Sequence, residues 1–521
     1  MRSFMNRLPD LRELSQAAVR PLAFTVLSWV ILCLGFILRL SAYIHNRALW
    51  GDEIPLARNI EERTYSALLQ PLSYDQAAPV GFLMLEKLAV RTFGDNEYAL
   101  RLAPLLAGAL SLLLFFWLAR KCLSPAGTLI ALSFFGTADK LVYYSSEVKQ
   151  YSTDVAIALL LLLGAVSVYS KKLGWWDAAM FGVIGATAIW FSHPCIFVLA
   201  GIGTTLTFYN AYRRDWTNAA FISIAGLMWA ASFAGTYLVT LRDAVSSNYL
   251  LDFWGSSGAF MPLSIRSVSD AFWVVRTFVL SLKNPGGFSL PVLAAFVFLA
   301  GFVSVCINKK KYLLVLLSPI PFALMASALH KYPFSDRLLL FIVPSLLVFV
   351  AEGISRVWPR APLIGFALLV LLSFQPVVNA VHIAINHDER EDIKPALGYL
   401  REHWRQGDVI YVFYAAKYQF RYYAERYGFS EVASVKGRKA DGLGIFDDGG
   451  DALRGKRRVW ALFLIDMEGR IKERRATLLQ ELDNAGTRLD SFELTGGSVY
   501  LYDLSREKNT GDRQVSPPVA H

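Results

Sequence analysis

The stretch of sequence that decides the fold is "LAFTVLSWVILCLGFILRLSAY", residues Leu22–Tyr43. A bilayer core of roughly 30 Å is crossed by about 20 residues of α-helix, and a run of this length with so few charges is typical of a membrane span. It is too long for the core of a signal peptide, and no small-residue cleavage site follows it. We therefore predict a retained transmembrane helix.

Similar runs recur along the chain. The 521 residues are 55% hydrophobic and only 18% charged, a composition typical of membrane proteins. The fold class that follows is a polytopic α-helical membrane protein with about eleven spans. The predicted spans are Leu22–Tyr43, Leu102–Ala119, Gly127–Tyr144, Asp154–Tyr169, Trp176–Phe191, Pro194–Tyr212, Ala219–Thr240, Phe288–Ile307, Tyr312–Leu329, Leu338–Ala351 and Ala361–Val381.

The net charge of +10 follows membrane topology and does not indicate a nucleic-acid partner. Lys and Arg gather at every second loop, so the positive-inside rule predicts a cytoplasmic N-terminus, with the alternate loops and the C-terminal region on the outer side. The clusters are Arg2, Arg7, Arg12 and Arg20, then Arg120 and Lys121, Lys171 and Lys172, Arg213 and Arg214, Lys309–Lys311, and Arg356 and Arg360.

The segments outside the predicted spans are of two kinds: interfacial helices in the outer loops and a separate C-terminal domain. Residues 54–72 and 79–94 in the first outer loop, and residues 270–282 in a later one, predict amphipathic helices lying in the membrane interface. We predict a transmembrane domain over 1–383 and an outer α/β domain over 384–521. In the second, residues 407–415, 457–466 and 496–504 predict strands, 417–428 and 468–486 predict helices, and the tail from about Asn509 is expected to be disordered.

Acids and bases recur at the predicted outer boundaries, whereas the inner ones carry Lys and Arg. A polar cavity opening outward explains this pattern economically. Each residue also has a simpler explanation: Asp52 could cap a helix beginning near Ile54, and Arg337 could anchor a span to lipid phosphates. The boundary residues are Asp52, Glu53, Arg58, Asp139, Lys140, Glu147, Lys149, Tyr151, His193, His330, Lys331, Asp336 and Arg337.

Carboxylates and cations beside a bilayer suit an anionic lipid substrate. A sugar carried on a lipid phosphate already has a good leaving group. An enzyme then needs cations to stabilise the departing phosphate and a carboxylate to deprotonate an acceptor hydroxyl. The sequence contains no phosphate-binding loop, dinucleotide fingerprint, HExxH motif or nucleophile elbow. The four cysteines have no metal-like spacing and are interpreted as packing residues.

The motifs resemble, in chain order, those of the polytopic glycosyltransferases that take sugars from polyprenyl phosphates, the GT-C superfamily. This group includes bacterial relatives of the protein O-mannosyltransferases and the lipid A aminoarabinose transferases. The matching pieces are "LWGDEIPLARNI" (49–60), "QAAPVGFLMLEKLAVRTFGDNEYALRLAPLLAG" (76–108), "SSEVKQYS" (145–152), "SDRLLLFIVPSLLVF" (335–349) and "EREDIKPALGYLREHWRQGDVIYV" (389–412).

The resemblance implies that Asp52 is the catalytic carboxylate, Glu53 its neighbour in the acceptor site and Glu147 a second acid. It also implies that Lys149 and Arg337 lie near the donor phosphate, although the family usually has Arg at the position of Lys149, and lysine lacks the bidentate fork. We add Arg58, His330 and Lys331 to the phosphate-binding set, and Tyr151, His193, Asp139 and Lys140 to the pocket. No cofactor and no catalytic metal are expected, although some relatives bind a divalent ion.

The predicted function is transfer of a hexose or pentose, with inversion, from a polyprenyl-phosphate donor on the outer side of a bacterial inner membrane. The acceptor would be lipid A, the lipopolysaccharide core or another lipid-linked envelope glycan. A phosphate acceptor, protein O-glycosylation, a lipid-glycan flippase and a non-catalytic scaffold remain alternatives. A flippase predicts polar residues near mid-membrane on both sides, whereas here they gather on one.

Overall fold

The protein is described by a computed structural model. It covers residues 11–169, 171–242, 247–264, 266–308, 315–385, 392–429, 434–436, 453–464, 470–494 and 496–505. The chain divides into two compact units. The helical unit comprises Met1–Asn46 and Leu56–His387, and the sheet unit comprises Arg47–Pro55 and Asp388–His521. The predicted disordered tail, the 386–391 segment that follows the predicted domain boundary, and the Lys309–Lys311 cluster fall outside the described residues.

The first half of the helical unit consists of helices joined by short connections. Helix ends carry the expected caps: Ser124 Oγ accepts a hydrogen bond from Gly127 N at 3.2 Å, with Pro125 in the first turn. The helices are α1 (Leu11–Ile44), α2 (Ile54–Glu62), α3 (Val80–Phe93), α4 (Glu97–Leu100), α5 (Leu102–Cys122), α6 (Pro125–Thr137), α7 (Asp139–Tyr143), α8 (Tyr151–Val168), α9 (Trp175–Phe191), α10 (Cys195–Tyr212) and α11 (Trp216–Thr236).

The second half of the helical unit completes the bundle. A five-residue π-helix, Tyr237–Leu241, extends α11, and a 3₁₀ helix, Asp336–Ile342, precedes α16. The helices are α12 (Asn248–Ser256), α13 (Val268–Lys283), α14 (Pro291–Ile307), α15 (Pro319–Ala328), α16 (Val343–Val357) and α17 (Pro362–Ile385).

Seven helical segments of the described chain are long and apolar enough to cross a membrane, and three shorter apolar helices accompany them. The predicted fold class, a polytopic helical membrane protein with a small C-terminal sheet domain, is confirmed, but the count of eleven spans is not. The seven are Leu22–Ile44, Glu97–Cys122, Tyr151–Val168, Cys195–Tyr212, Trp216–Leu241, Asp336–Val357 and Pro362–Ile385.

The segment of the predicted span Gly127–Tyr144 is not one continuous helix. The helix is interrupted at Ala138, whose backbone is extended with φ −61° and ψ 111°. The chain restarts as α7, where Asp139 Oδ1 accepts a hydrogen bond from Lys140 N at 2.9 Å. An alanine gives no sequence signal for such a break because alanine is the best helix former.

Helices α14 and α16 pack with their backbones in direct contact. A Cβ atom on Gly301 would overlap the carbonyl oxygen of Phe349, and one on Gly353 would overlap that of Val297. Small residues permit this close approach, which is how membrane helices gain van der Waals contact in the absence of a hydrophobic driving force. Helix α16 is accordingly buried along most of its length.

The sheet unit contains five strands, three α-helices and two short 3₁₀ helices among its described residues. Strand order is β2-β1-β3-β5-β4, with β1 parallel to β2 and β3, and β5 antiparallel to β3 and β4. The elements are α18 (Lys394–His403), β1 (Val409–Val412), α19 (Lys417–Tyr423), β2 (Ser434–Lys436), β3 (Val459–Leu464), α20 (Arg470–Ala485), β4 (Thr487–Leu494) and β5 (Gly497–Asp503).

Burial explains which strands the sequence revealed. Strands β1 and β3 are buried at every position and β5 at all but its last, and the apolar runs that form them predicted all three. Strand β4 is an edge strand that is exposed at most positions. Its sequence, "TRLDSFEL", lacks an apolar face, and it was missed.

Candidate active site

The segment Tyr144–Tyr151 forms a buried loop between α7 and α8. Its 3₁₀ turn is fixed by the Ser145 hydroxyl, which donates to the carbonyl of Val142 at 2.6 Å. A Cβ atom on Gly108 would lie 2.7 Å from Ser145 Cβ, so the loop presses directly on α5. Glu147 is fully buried and Lys149 nearly so. Two ionisable side chains are thereby held inside the protein.

The Lys149 ammonium is held against the first loop of the chain. Its Nζ donates to Gln76 Oε1 at 2.9 Å. The next residue repeats the connection, since Gln150 Nε2 donates to the carbonyl of Ala77 at 3.4 Å. Segments that are 73 residues apart in sequence therefore meet at this cation.

Arg337 is held by two aromatic rings. Its guanidinium carbon lies 5.8 Å from the ring centroid of Tyr151 and 5.9 Å from that of Trp254. A guanidinium within about 6 Å of an aromatic face is attracted by the quadrupole of the ring. The preceding residue, Asp336, has a φ of 49°, so the backbone turns sharply just before the cation.

Tyr144 shows how closely charges gather here. Burial raises the pKa of the Tyr144 hydroxyl, and the nearby Glu147 and Asp336 carboxylates raise it further, whereas Arg337 lowers it. Two acids and a cation therefore lie near one phenol. Of the predicted site residues, Glu147 and Tyr151 come together here with Arg337, which lies on the Asp336–Ile342 helix.

A cavity of about 160 Å³ lies beside this cluster. Trp254 links the two features, because its ring both contacts Arg337 and lines the cavity. Three of the predicted site residues line it: His193, His330 and Lys331. The other lining residues are Ala77, Gln150, Asp154, Pro194, Leu241, Leu250, Leu251, Trp254, Phe260, Tyr332, Pro333 and Leu338.

Two polar side chains in the cavity wall stand out. Burial lowers the pKa of the His193 imidazole to about 4, so it is neutral at pH 7. Its Nε2 atom is enclosed and makes no hydrogen bond to any described residue, and the same holds for Asp154 Oδ1. The sequence prediction missed Asp154, although an acid in the first turn of a spanning helix, three residues after Tyr151, was a usable signal.

Other predicted residues do not line this cavity. Asp139 Oδ2 accepts a hydrogen bond from Asn379 Nδ2 at 2.8 Å, and its neighbour Lys140 is half-buried. Arg58 forms an ion pair with Glu62 at 3.8 Å, one helical turn along α2. The Asp139 and Arg58 side chains therefore have partners outside the cavity.

Asp52 and Glu53 belong to the sheet unit, in the Arg47–Pro55 segment. The Trp50 carbonyl accepts hydrogen bonds from Glu53 N at 2.9 Å and Ile54 N at 3.2 Å, and Trp50 N donates to Glu53 Oε2 at 3.3 Å. Leu49 N donates to the Tyr423 hydroxyl at 2.8 Å. The buried Glu53 carboxylate thus helps to hold the turn that presents Asp52, and α2 begins at Ile54, as predicted.

No group of three or more His, Cys, Asp or Glu residues suited to a metal ion occurs in the described part of the chain. The expectation that the reaction needs no metal stays a prediction.

Comparison with known proteins supports the fold. No protein-family model and no curated protein sequence matches the chain. The crystal structure of ArnT from Cupriavidus metallidurans in the apo state matches with a TM-score of 0.51 at 11% identity, over 94% of this chain and 99% of that one. The apo oligosaccharyltransferase of Archaeoglobus fulgidus matches with a TM-score of 0.51 at 12% identity, over 91% of this chain and 74% of that one. The chain therefore shares its fold with these two polytopic membrane proteins, and this agrees with the resemblance that its sequence motifs indicated.

Proposed function

We propose that this protein is a membrane glycosyltransferase that moves a sugar from a polyprenyl-phosphate donor to an acceptor on the outer side of a bacterial inner membrane. The observation that carries the proposal is the position of Arg337, which contacts the rings of Tyr151 and Trp254 beside a cavity that Trp254 also lines. The GT-C fold is compatible with this activity.

The donor phosphate would bind between Arg337 and Lys149. The Arg337 guanidinium lies against two aromatic rings, and its planar fork of N–H groups can form two parallel hydrogen bonds to phosphate oxygens. Lys149, oriented by Gln76, would add a point charge. Lys331 lines the cavity beside this site and would bring further positive charge, and His330 lines it too.

The reaction would be a single displacement at the anomeric carbon. The acceptor oxygen forms the new bond while the bond from that carbon to the phosphate oxygen breaks, and the phosphate leaves with the electron pair. The acceptor proton passes to the Asp52 carboxylate. Attack opposite the leaving group inverts the anomeric configuration. The cations stabilise the charge that develops on the phosphate, which is the usual source of electrostatic catalysis.

The remaining acids have supporting roles in this proposal. Glu53 would hold the Asp52 turn, because its carboxylate accepts the hydrogen bond from Trp50 N. Glu147 would orient the loop that carries Lys149 and act as the second acid of the site. The acceptor class is lipid A, the lipopolysaccharide core or another lipid-linked glycan of the envelope.

The test is transfer from labelled undecaprenyl-phosphate sugars to envelope glycolipids in proteoliposomes. The Asp52→Asn variant should lose transfer by about 10²-fold or more while still binding undecaprenyl phosphate, since a general base contributes about 10²–10⁴-fold. Full activity of this variant would overturn the assignment of Asp52 as the base.

A matched pair of lysine variants tests the phosphate site. Lys149→Met should weaken binding of undecaprenyl phosphate by about 10-fold or more, because a charge-assisted contact is lost. Lys140→Met removes a lysine that does not line the cavity and should leave binding within about twofold. Equal effects of the two substitutions would count against a phosphate site at Lys149.

A further inference from the structure

The cavity beside Arg337 contains two polar atoms that no described residue satisfies. Asp154 Oδ1 and His193 Nε2 are both enclosed and lack hydrogen-bond partners within the described ranges. Leaving a buried polar group unsatisfied costs free energy, so such atoms in a native structure call for a ligand, a water or a catalytic explanation. Both residues line the same cavity.

The rest of the wall restricts what can bind. Much of it is apolar, with Leu250, Leu251, Phe260 and Leu338 among the lining residues. The volume of about 160 Å³ is below the roughly 300–1,000 Å³ of sites for drug-sized molecules. A compact ligand with a few hydrogen-bonding groups and a partly apolar surface fits this description, and a single sugar ring has both properties.

The position of the cavity relates it to the proposed phosphate site. The Trp254 side chain contacts the Arg337 guanidinium and also forms part of the cavity wall. Leu338, the residue after Arg337, also lines the cavity. A phosphate bound by Arg337 would therefore lie next to the cavity, with its substituent within reach of it.

We infer that this cavity holds the sugar ring of the lipid-linked donor, and that Asp154 and His193 select that sugar by hydrogen-bonding its hydroxyl groups. The inference rests on the proposed function and adds a specificity-determining pair to it. A carboxyl oxygen accepts a hydrogen bond from a hydroxyl group, and a neutral imidazole Nε2 donates or accepts one according to its tautomer. Sites built to hydrogen-bond a hydroxyl discriminate strongly against ligands that lack it.

The experiment compares lipids with and without a sugar. Binding to purified protein would be measured for undecaprenyl phosphate and for undecaprenyl phosphates that carry mannose, galactose, N-acetylglucosamine or arabinose. The wild-type protein should bind at least one glycosylated lipid about 10-fold tighter than undecaprenyl phosphate. Asp154→Asn and His193→Gln should each reduce this preference by about 10-fold and leave the affinity for undecaprenyl phosphate within twofold.

Two further variants support the test. Ser167→Ala, at the other end of α8, is the control and should keep the wild-type preference. Leu251→Trp fills the cavity and should abolish the preference without using either polar residue, which keeps the test valid if Asp154→Asn fails to fold.

The outcomes separate the inference from the proposed function. If undecaprenyl phosphate binds and binding depends on Arg337, but no variant changes the preference for the sugar, the inference is overturned and the proposed function stands. If the wild-type protein shows no preference for any glycosylated lipid, the inference is also overturned. If undecaprenyl phosphate itself does not bind, both fail.

Discussion

The guanidinium carbon of Arg337 lies 5.8 Å from the ring centroid of Tyr151, the first residue of helix α8. Trp254 lies at a similar distance, so two aromatic rings contact the cation. A lysine could supply the same charge but neither the planar stacking nor the fork of donors.

We therefore expect Arg337→Lys to raise the KM for the lipid-linked donor by about 10-fold, with a smaller change in kcat, since about 1.4 kcal/mol of binding corresponds to that factor. Steady-state kinetics with varied donor would measure it. Arg276→Lys changes an exposed arginine of α13 and is the control. Identical kinetics for Arg337→Lys and the wild type would contradict a stacking role.

His193 should make stability depend on pH. Its pKa in the folded protein is about 4, below the usual value of about 6.5. Between these values the unfolded chain binds a proton that the folded protein does not. The contribution of His193 to the free energy of unfolding is therefore fully present above about pH 6.5. It is lost as the pH decreases toward 4, by at most about 3 kcal/mol. Thermal unfolding in detergent from pH 7.5 to 4.5 would show a steeper fall for the wild type than for His193→Gln. The exposed His382→Gln variant should follow the wild type.

Glu86 in α3 should have the opposite pH dependence. It is fully buried, and neither carboxyl oxygen has a hydrogen-bond partner among the described residues. Burial raises its pKa well above the usual value, so the folded protein retains a proton that the unfolded chain releases above about pH 4.3. This destabilises the fold increasingly as the pH rises.

Glu86→Gln should accordingly raise the Tm at pH 7.5 and change it little at pH 4.5. The neighbouring Lys87 is a suitable contrast, because its Nζ donates to the carbonyls of Ile60 and Glu61 at 2.7 and 2.8 Å. Lys87→Met should lower the Tm at both pH values. An equal gain for Glu86→Gln at both pH values would contradict the titration argument.

Asp408 should stabilise the sheet unit. Its carboxylate accepts hydrogen bonds from Arg458 Nε at 2.8 Å and from the indole Nε1 of the buried Trp460 at 2.8 Å. Asp408→Asn should cost about 2 kcal/mol, as for hydrogen bonds to charged groups, and increase amide exchange in strand β3. The exposed pair of Asp483 and Arg488 is the matched comparison. Asp483→Asn should cost less than about 1 kcal/mol.

Sequence reasoning identified those parts of the molecule in which one class of residue, apolar or charged, indicates the structure by itself. Apolar runs predicted most of the long helices, and the buried strands β1, β3 and β5 were identified for the same reason. Charged residues at helix boundaries identified Arg337, Lys149 and His193 as unusual. The pairing of Lys149 with Gln76 was not predictable, because no periodicity relates residues 73 positions apart.

The features that were missed have physical reasons. The break at Ala138 depends on tertiary packing that overrides a strong helix former. Strand β4 is exposed on both faces and therefore lacks alternation. Asp154 was included in a predicted span, where its polarity was outweighed by the leucines that follow it. Only the cavity identifies it as part of a site.

The contact between Gly301 and Gly353 also bears on motion. Because the backbones of α14 and α16 touch, neither helix can slide past the other without collision. The 3₁₀ turn that carries Arg337 runs directly into α16, so the cation lies next to a helix that is in close backbone contact with α14. A gate that admits and releases a lipid would therefore have to hinge elsewhere. Helix α12 supplies Leu250, Leu251 and Trp254 to the cavity and buries none of its residues fully, so less packing would be lost if this helix moved than if α16 did.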